Sequence, residues 1–226
     1  MRSRLQVVFV LLTALACSSQ VVDRMVAVVN KRVILESELD QAARVEFLMQ
    51  GKPLKKLTQA EKVSVLDRLI DRSLLEQQIV HSEMLDPTPA ELADRVMEIR
   101  QQVPGASTEE GWKKILNDYG LTEQDIKESV SSQFRILRFV DLRFRGLVRV
   151  DQSSIDAYYR DKLLPQLRTQ GAAEPPLKDV SDKIEKILVE QSIDEMLTRW
   201  LETLRGQAHI EKMISAPATA SSGALP

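Results

Sequence analysis

Apolar residues in this chain recur mostly three or four apart, the rhythm of helices with one buried face. Val63, Leu66, Leu69, Ile70, Leu74 and Ile79 form such a stripe behind Thr58. Leu92, Val96, Ile99 and Val103 form another behind Thr88, with Pro89 at the first helical position. Ser107 to Glu110 opens a helix bearing Trp112, Ile115, Leu116 and Tyr119, closed by Gly120. Thr122 opens one bearing Ile126, Val130, Phe134, Leu137 and Val140. The cap hydroxyl accepts a hydrogen bond from an orphan backbone N–H, and Glu61 and Glu91 complete capping boxes with Thr58 and Thr88. Asp151 caps a helix with Ile155, Tyr158, Tyr159 and Leu163. Leu164 to Pro176 has loop composition. A long helix then runs from about Val180 to Arg205, with Ile184, Ile187, Leu188, Met196, Leu197, Trp200, Leu201 and Leu204 read as one stripe and Gly206 as its end.

Two stretches break the rhythm. Val26–Val29 and Val33–Leu35 are β-branched runs around Asn30-Lys31, and Asn tolerates positive φ, so they predict a hairpin. Ser37 is the expected cap of the following helix, with Asp40 at its third position, and that helix ends near Gln50-Gly51 ahead of Pro53. Ala208 to Ile214 alternates as a short terminal strand. Ser215 to Pro226 has the composition of a disordered tail. The fold class is mainly α, with a small β-hairpin. A lone hairpin is marginal in water, so the competing reading is a plain helical bundle with frayed ends.

The first residues change the picture. Arg2 and Arg4 precede an apolar run from Leu5 to Ala16, and Ala14-Leu15-Ala16 offers small residues to a signal peptidase. Such a segment predicts export, since about 20 apolar residues are needed to span a bilayer. A membrane anchor or a buried first helix is the alternative. Cys17, the single cysteine, stands where a lipoprotein signal carries its acylated residue, although Ala14 occupies the position usually held by Leu. Acylation of Cys17 and its removal with residues 1–16 both remain open. One cysteine excludes an intramolecular disulfide. Without Arg2 and Arg4 the chain has 29 basic against 33 acidic residues, a balance that argues against bulk electrostatic binding of nucleic acid.

Candidate chemistry is sparse. His81 and His209 lie far apart in sequence and read as structural or surface residues. No His/Cys spacing suits zinc, and there is no GxSxG, GxGxxG or Walker loop. Arg135, Arg138, Arg143, Arg145 and Arg149 interleave with Phe134, Phe139 and Phe144. This is either a basic-aromatic partner surface or an amphipathic helix whose arginines reach water, and the second is favoured. Glu109-Glu110 suit a helix's first turn, where the macrodipole favours acids. No cofactor, metal or small-molecule substrate is expected.

Three blocks resemble the periplasmic chaperone SurA family. They are Val21 to Leu39 (VAVVN and ILESEL), VLDRLIDRSLLEQQI from Val65 with Gly120 to Tyr159, and Ile193 to Ile214. The resemblance implies a SurA-like chaperone domain spanning residues 21–164 and completed by 180–214, in which Ala208–Ile214 pairs with the hairpin. Relatives carry parvulin-type prolyl isomerase domains after the tyrosine pair. Here Arg160 to Asp179 is 20 residues, and a folded domain needs at least about 50. The 165–179 stretch therefore reads as a linker. The implied function is a periplasmic holdase that is not an enzyme. Its partners would be unfolded polypeptides, outer-membrane proteins among them, with a membrane tether if Cys17 is acylated. A divergent prolyl isomerase and a lipid-anchored or structural subunit of an envelope complex are the alternatives. Met49, Met84 and Met97 read as core first and as adaptable client contacts second.

Overall fold

A computed structural model of the chain describes residues 23–79 and 83–214. The expected leader, Cys17, His81 and the expected tail lie outside the described residues. Strands β1 (Met25–Val29) and β2 (Arg32–Leu35) form the antiparallel hairpin. Asn30 turns it at φ 57°. The short strand β3 (Ile210–Lys212) pairs antiparallel with the other edge of β1, giving the order β2-β1-β3. The two ends of the described chain therefore meet in one sheet, and the frayed bundle is excluded.

Asn30 also fastens the sheet. Its N–H donates to His209 O at 2.7 Å, its Oδ1 accepts from His209 N at 3.0 Å, and its Nδ2 donates to Gln77 Oε1 at 2.7 Å. A glycine reaches the same φ but lacks the amide that makes two of these bonds. Lys212 to Asp67 (2.5 Å) and Arg205 to Asp71 (2.6 Å) tie the last residues to the second helix.

Helices α1 (Glu36–Met49), α2 (Gln59–Glu76), α3 (Pro89–Gln102), α4 (Glu109–Tyr119) and α5 (Glu123–Phe144) follow the predicted order. Capping boxes form at Thr58/Glu61, Thr88/Glu91 and Thr122/Asp125, and Gly120 ends α4 in the left-handed region. Two caps differ from expectation. Thr108 caps α4 in place of Ser107. Ser37 lies inside α1, and Asp23 serves as the cap from outside, accepting from both Ser37 N–H and Ser37 Oγ. That hydroxyl bond, the largest influence, holds the Asp23 carboxyl below its usual pKa. An acid three residues after a serine thus reads as a cap only if the preceding strand leaves the serine first in line. Here Leu35 is the last strand residue and Glu36 already helical.

Asp151 caps α6 (Gln152–Tyr158) as expected. The helix then widens into a π-turn over Tyr159–Leu163 and continues as α7 (Leu164–Thr169). The loop expected from Leu164 is therefore helical as far as Thr169. Pro165 sits in the first turn of α7, where a missing N–H is tolerated, and the wide turn before it resets the hydrogen-bond register. Tyr159 Oη donates to Pro175 O at 2.7 Å and Arg168 pairs with Glu174, holding the remaining loop closed on this arm.

Helix α8 (Leu177–Gln207) is about 46 Å long at 1.5 Å per residue. Its apolar residues form two stripes rather than the single one expected. Ile184 and Ile193 are nine positions apart, so at about 100° per residue they lie on opposite faces. Leu204 returns to within about 20° of Ile193. The stripe around Ile193 and Leu204 joins the body of the protein, and α6 also packs on α8, with Ile155 and Ile184 both buried.

Three apolar clusters make the body. The first joins the sheet, α1, α2 and the end of α8; the second joins α1, α3, α4 and the first half of α5 around buried Trp112; the third joins the end of α5 to the middle of α8. Met84 and Met97 are exposed rather than core, because Leu85, Val96 and Ile99 occupy the inward positions beside them.

Candidate functional site

A cleft of about 550 Å³ lies between α1, α2 and α5. Its apolar base is a stripe along α1 (Ala42, Val45, Met49) meeting Val65 and Leu69 of α2. The three- and four-residue spacing that aligns these residues is the ordinary inward stripe of each helix. Helix α1 packs against both neighbours, so α2 and α5 stand as walls above it.

A polar network closes one end. Arg32, from β2, donates to Glu38 Oε1 of α1 at 2.6 Å and to Glu76 Oε2 of α2 at 2.7 Å. Ser132 of α5, itself buried, donates to Glu76 Oε1 at 2.7 Å. One arginine thus fixes the relative positions of the hairpin and three helices. Farther along, Gln41 Nε2 donates to Asp125 Oδ1 at 2.6 Å, and Arg68 pairs with Glu46 at 2.5 Å. Arg72, half-buried on the α2 wall, has no ion-pair or hydrogen-bond partner among the described residues. On the α5 wall Glu128 is exposed, its Oε1 accepting from Gln124 at 2.9 Å. An apolar base with separated charges above it suits non-covalent holding of a polypeptide segment.

Resolved pKa shifts fall on caps and ion pairs outside the cleft. Lys55 first, then Thr58, lowers Glu61 to about 2. The Thr88 backbone N–H first, then Arg138, lowers Glu91 to about 2. Lys62 and Lys127 lower Glu36 and Glu123. Every one of these shifts keeps its group ionised at neutral pH. Such groups serve as charge partners rather than as proton donors.

The expected candidates separate. His209 is exposed immediately before β3, with Nε2 at 2.8 Å from Glu211. The basic-aromatic series on α5 is an amphipathic helix face. Arg135 pairs with Asp86, Arg138 with Glu91, and Arg145 with Asp141 and Glu190, while Arg149 donates to the carbonyls of Gly146 and Val148. Arg143 lies over the Trp200 ring at 4.2 Å, and Phe139 and Phe144 pack on the same ring. Of the three methionines only Met49 reaches the cleft. Sequence reasoning missed Arg32, Gln41, Arg72, Ser129 and Ser132, which line the cleft. The available signal was Arg32 between two β-branched runs and the serines Ser129 and Ser132 beside the apolar stripe of α5.

Arg160 to Asp179 holds the π-turn, α7, a short loop and the start of α8, with no separate folded domain. None of the curated proteins matches the chain. The family model described as the SurA-like N-terminal domain matches residues 4–139, more than half of the 226 residues and nearly all of the chain through α5. The cleft-lining residues all fall within that match, and the chain belongs to the family of SurA-like N-terminal domains.

Proposed function

We propose that the protein is a periplasmic holdase-type chaperone, binding unfolded polypeptides in transit, outer-membrane proteins among them, without isomerase activity. The observation that carries this reading is the family assignment. The cleft, with its apolar base and polar walls, supplies a surface of the right chemistry. Apolar contact is non-directional and suits many client sequences. The Arg2/Arg4 leader pattern supports export, and Cys17 supports a variant in which the same domain is tethered to a membrane by acylation.

The test is aggregation of an unfolded outer-membrane protein diluted from denaturant. Suppression at near-stoichiometric ratio is the expected result, and none at several-fold excess would remove the reading. A protease-coupled prolyl-peptide assay on the same preparation is expected to stay at background. Mass spectrometry of the mature N-terminus distinguishes a diacylglycerol-bearing Cys17 from a start beyond it.

A further inference from the structure

We propose that the cleft selects its clients by charge, taking an extended segment that seats an aliphatic side chain on the α1 base and presents a carboxylate to Arg72. The inference rests on the holdase reading and deepens it by naming the segment. Three guanidinium groups line the cleft, and two are committed: Arg32 to Glu38 and Glu76, Arg68 to Glu46. Arg72 is half-buried in the cleft lining and has no ion-pair or hydrogen-bond partner among the described residues. Its donors meet no acceptor among the described residues, and the planar fork matches a carboxylate in two hydrogen bonds.

The opposite wall sharpens the preference. Asp125 and Glu128 bring negative charge to the α5 side. They repel an anion there and attract a basic side chain. Glu38, Glu46 and Glu76 also line the cleft but are held by Arg32 and Arg68, so the lining charges without an ion-pair partner among the described residues are Arg72 on α2 and Asp125 and Glu128 on α5. An acidic residue beside an aliphatic one is accepted only when its carboxylate lies toward α2. A segment with the acid replaced by its amide keeps the apolar contact and a neutral acceptor but loses the charge-assisted pair of bonds to Arg72.

The test is fluorescence anisotropy with three labelled peptides on the full chain. One carries alternating aliphatic and glutamate residues, one replaces glutamate by glutamine, and one by lysine. The glutamate peptide is expected to bind about tenfold tighter than the glutamine peptide, the scale of a charge-assisted hydrogen bond. Arg72→Gln should abolish that ratio by weakening the glutamate peptide most, and Arg72→Glu with Glu128→Lys should favour the lysine peptide. Neither side chain anchors the core, and thermal melts confirm that the variants fold. Equal binding of the three peptides, or a glutamate preference that survives Arg72→Gln, overturns the inference. If aggregation suppression persists in that case, the holdase reading stands without it. Absence of both suppression and peptide binding removes the reading itself.

Discussion

The two halves of α8 are chemically similar and structurally unlike. From Ile193 to Leu204 the helix contributes to two apolar clusters, with Leu197 and Trp200 packed against both. From Leu177 to Leu188 only Ile184 is fully buried, and Ile187 is 40% exposed. The first half shares its buried face with the α6–α7 arm and the second with the body. One helix therefore carries two cooperative units of different depth, and stability within it should fall along its own axis.

Shortening a buried side chain in each half breaks the comparison most sharply. Ile193→Ala is expected to cost about 2–5 kcal/mol of global stability, read as a lower midpoint in a denaturant titration. Ile184→Ala should leave that midpoint nearly unchanged and instead raise amide exchange in α6, α7 and the first turns of α8. Equal global losses would show that arm and body unfold as one. Acid sharpens the same contrast. Glu61 and Glu91, in the body, have folded pKa values near 2 against an ordinary 4.5, and Arg168 lowers Glu174 in the arm. A depressed folded pKa contributes stability that is full above the unfolded value and lost as pH falls through the folded one. Stability should therefore decline from about pH 4.5 toward pH 2, and Glu61→Gln with Glu91→Gln should flatten that decline in a melting series. The smallest effect belongs to Arg145, which joins the end of α5 to Glu190 at the boundary between the halves. Its ion pairs are exposed, so Arg145→Ala should leave the thermal midpoint unmoved.

The helices of the body were legible because cap, stripe and stop agree locally. Thr58, Thr88 and Thr122 each sit three residues before an acid, and each makes the bonds that spacing implies. The hairpin was legible from Asn30, whose backbone takes the expected positive φ. Ser37 misled because its partner, Asp23, precedes the strands and is invisible to a local rule. Pro165 misled because a proline can follow a π-turn as readily as end a helix. The cleft was hidden for a different reason. Arg32, Arg72 and Ser132 come from three elements, and only packing reveals that one arginine is held by two carboxylates while the other has no partner among the described residues.

Because β1 is the middle strand and β3 comes from residues 210–212, the sheet cannot be finished until synthesis has passed Lys212. During synthesis the first hairpin waits more than 170 residues with one side open. Any product cut short before Ile210 keeps that side open permanently. The architecture thus makes the arrival of residues 210–212 a condition for maturity, and separates molecules that carry β3 from those that lack it by whether they still offer a place for a foreign strand.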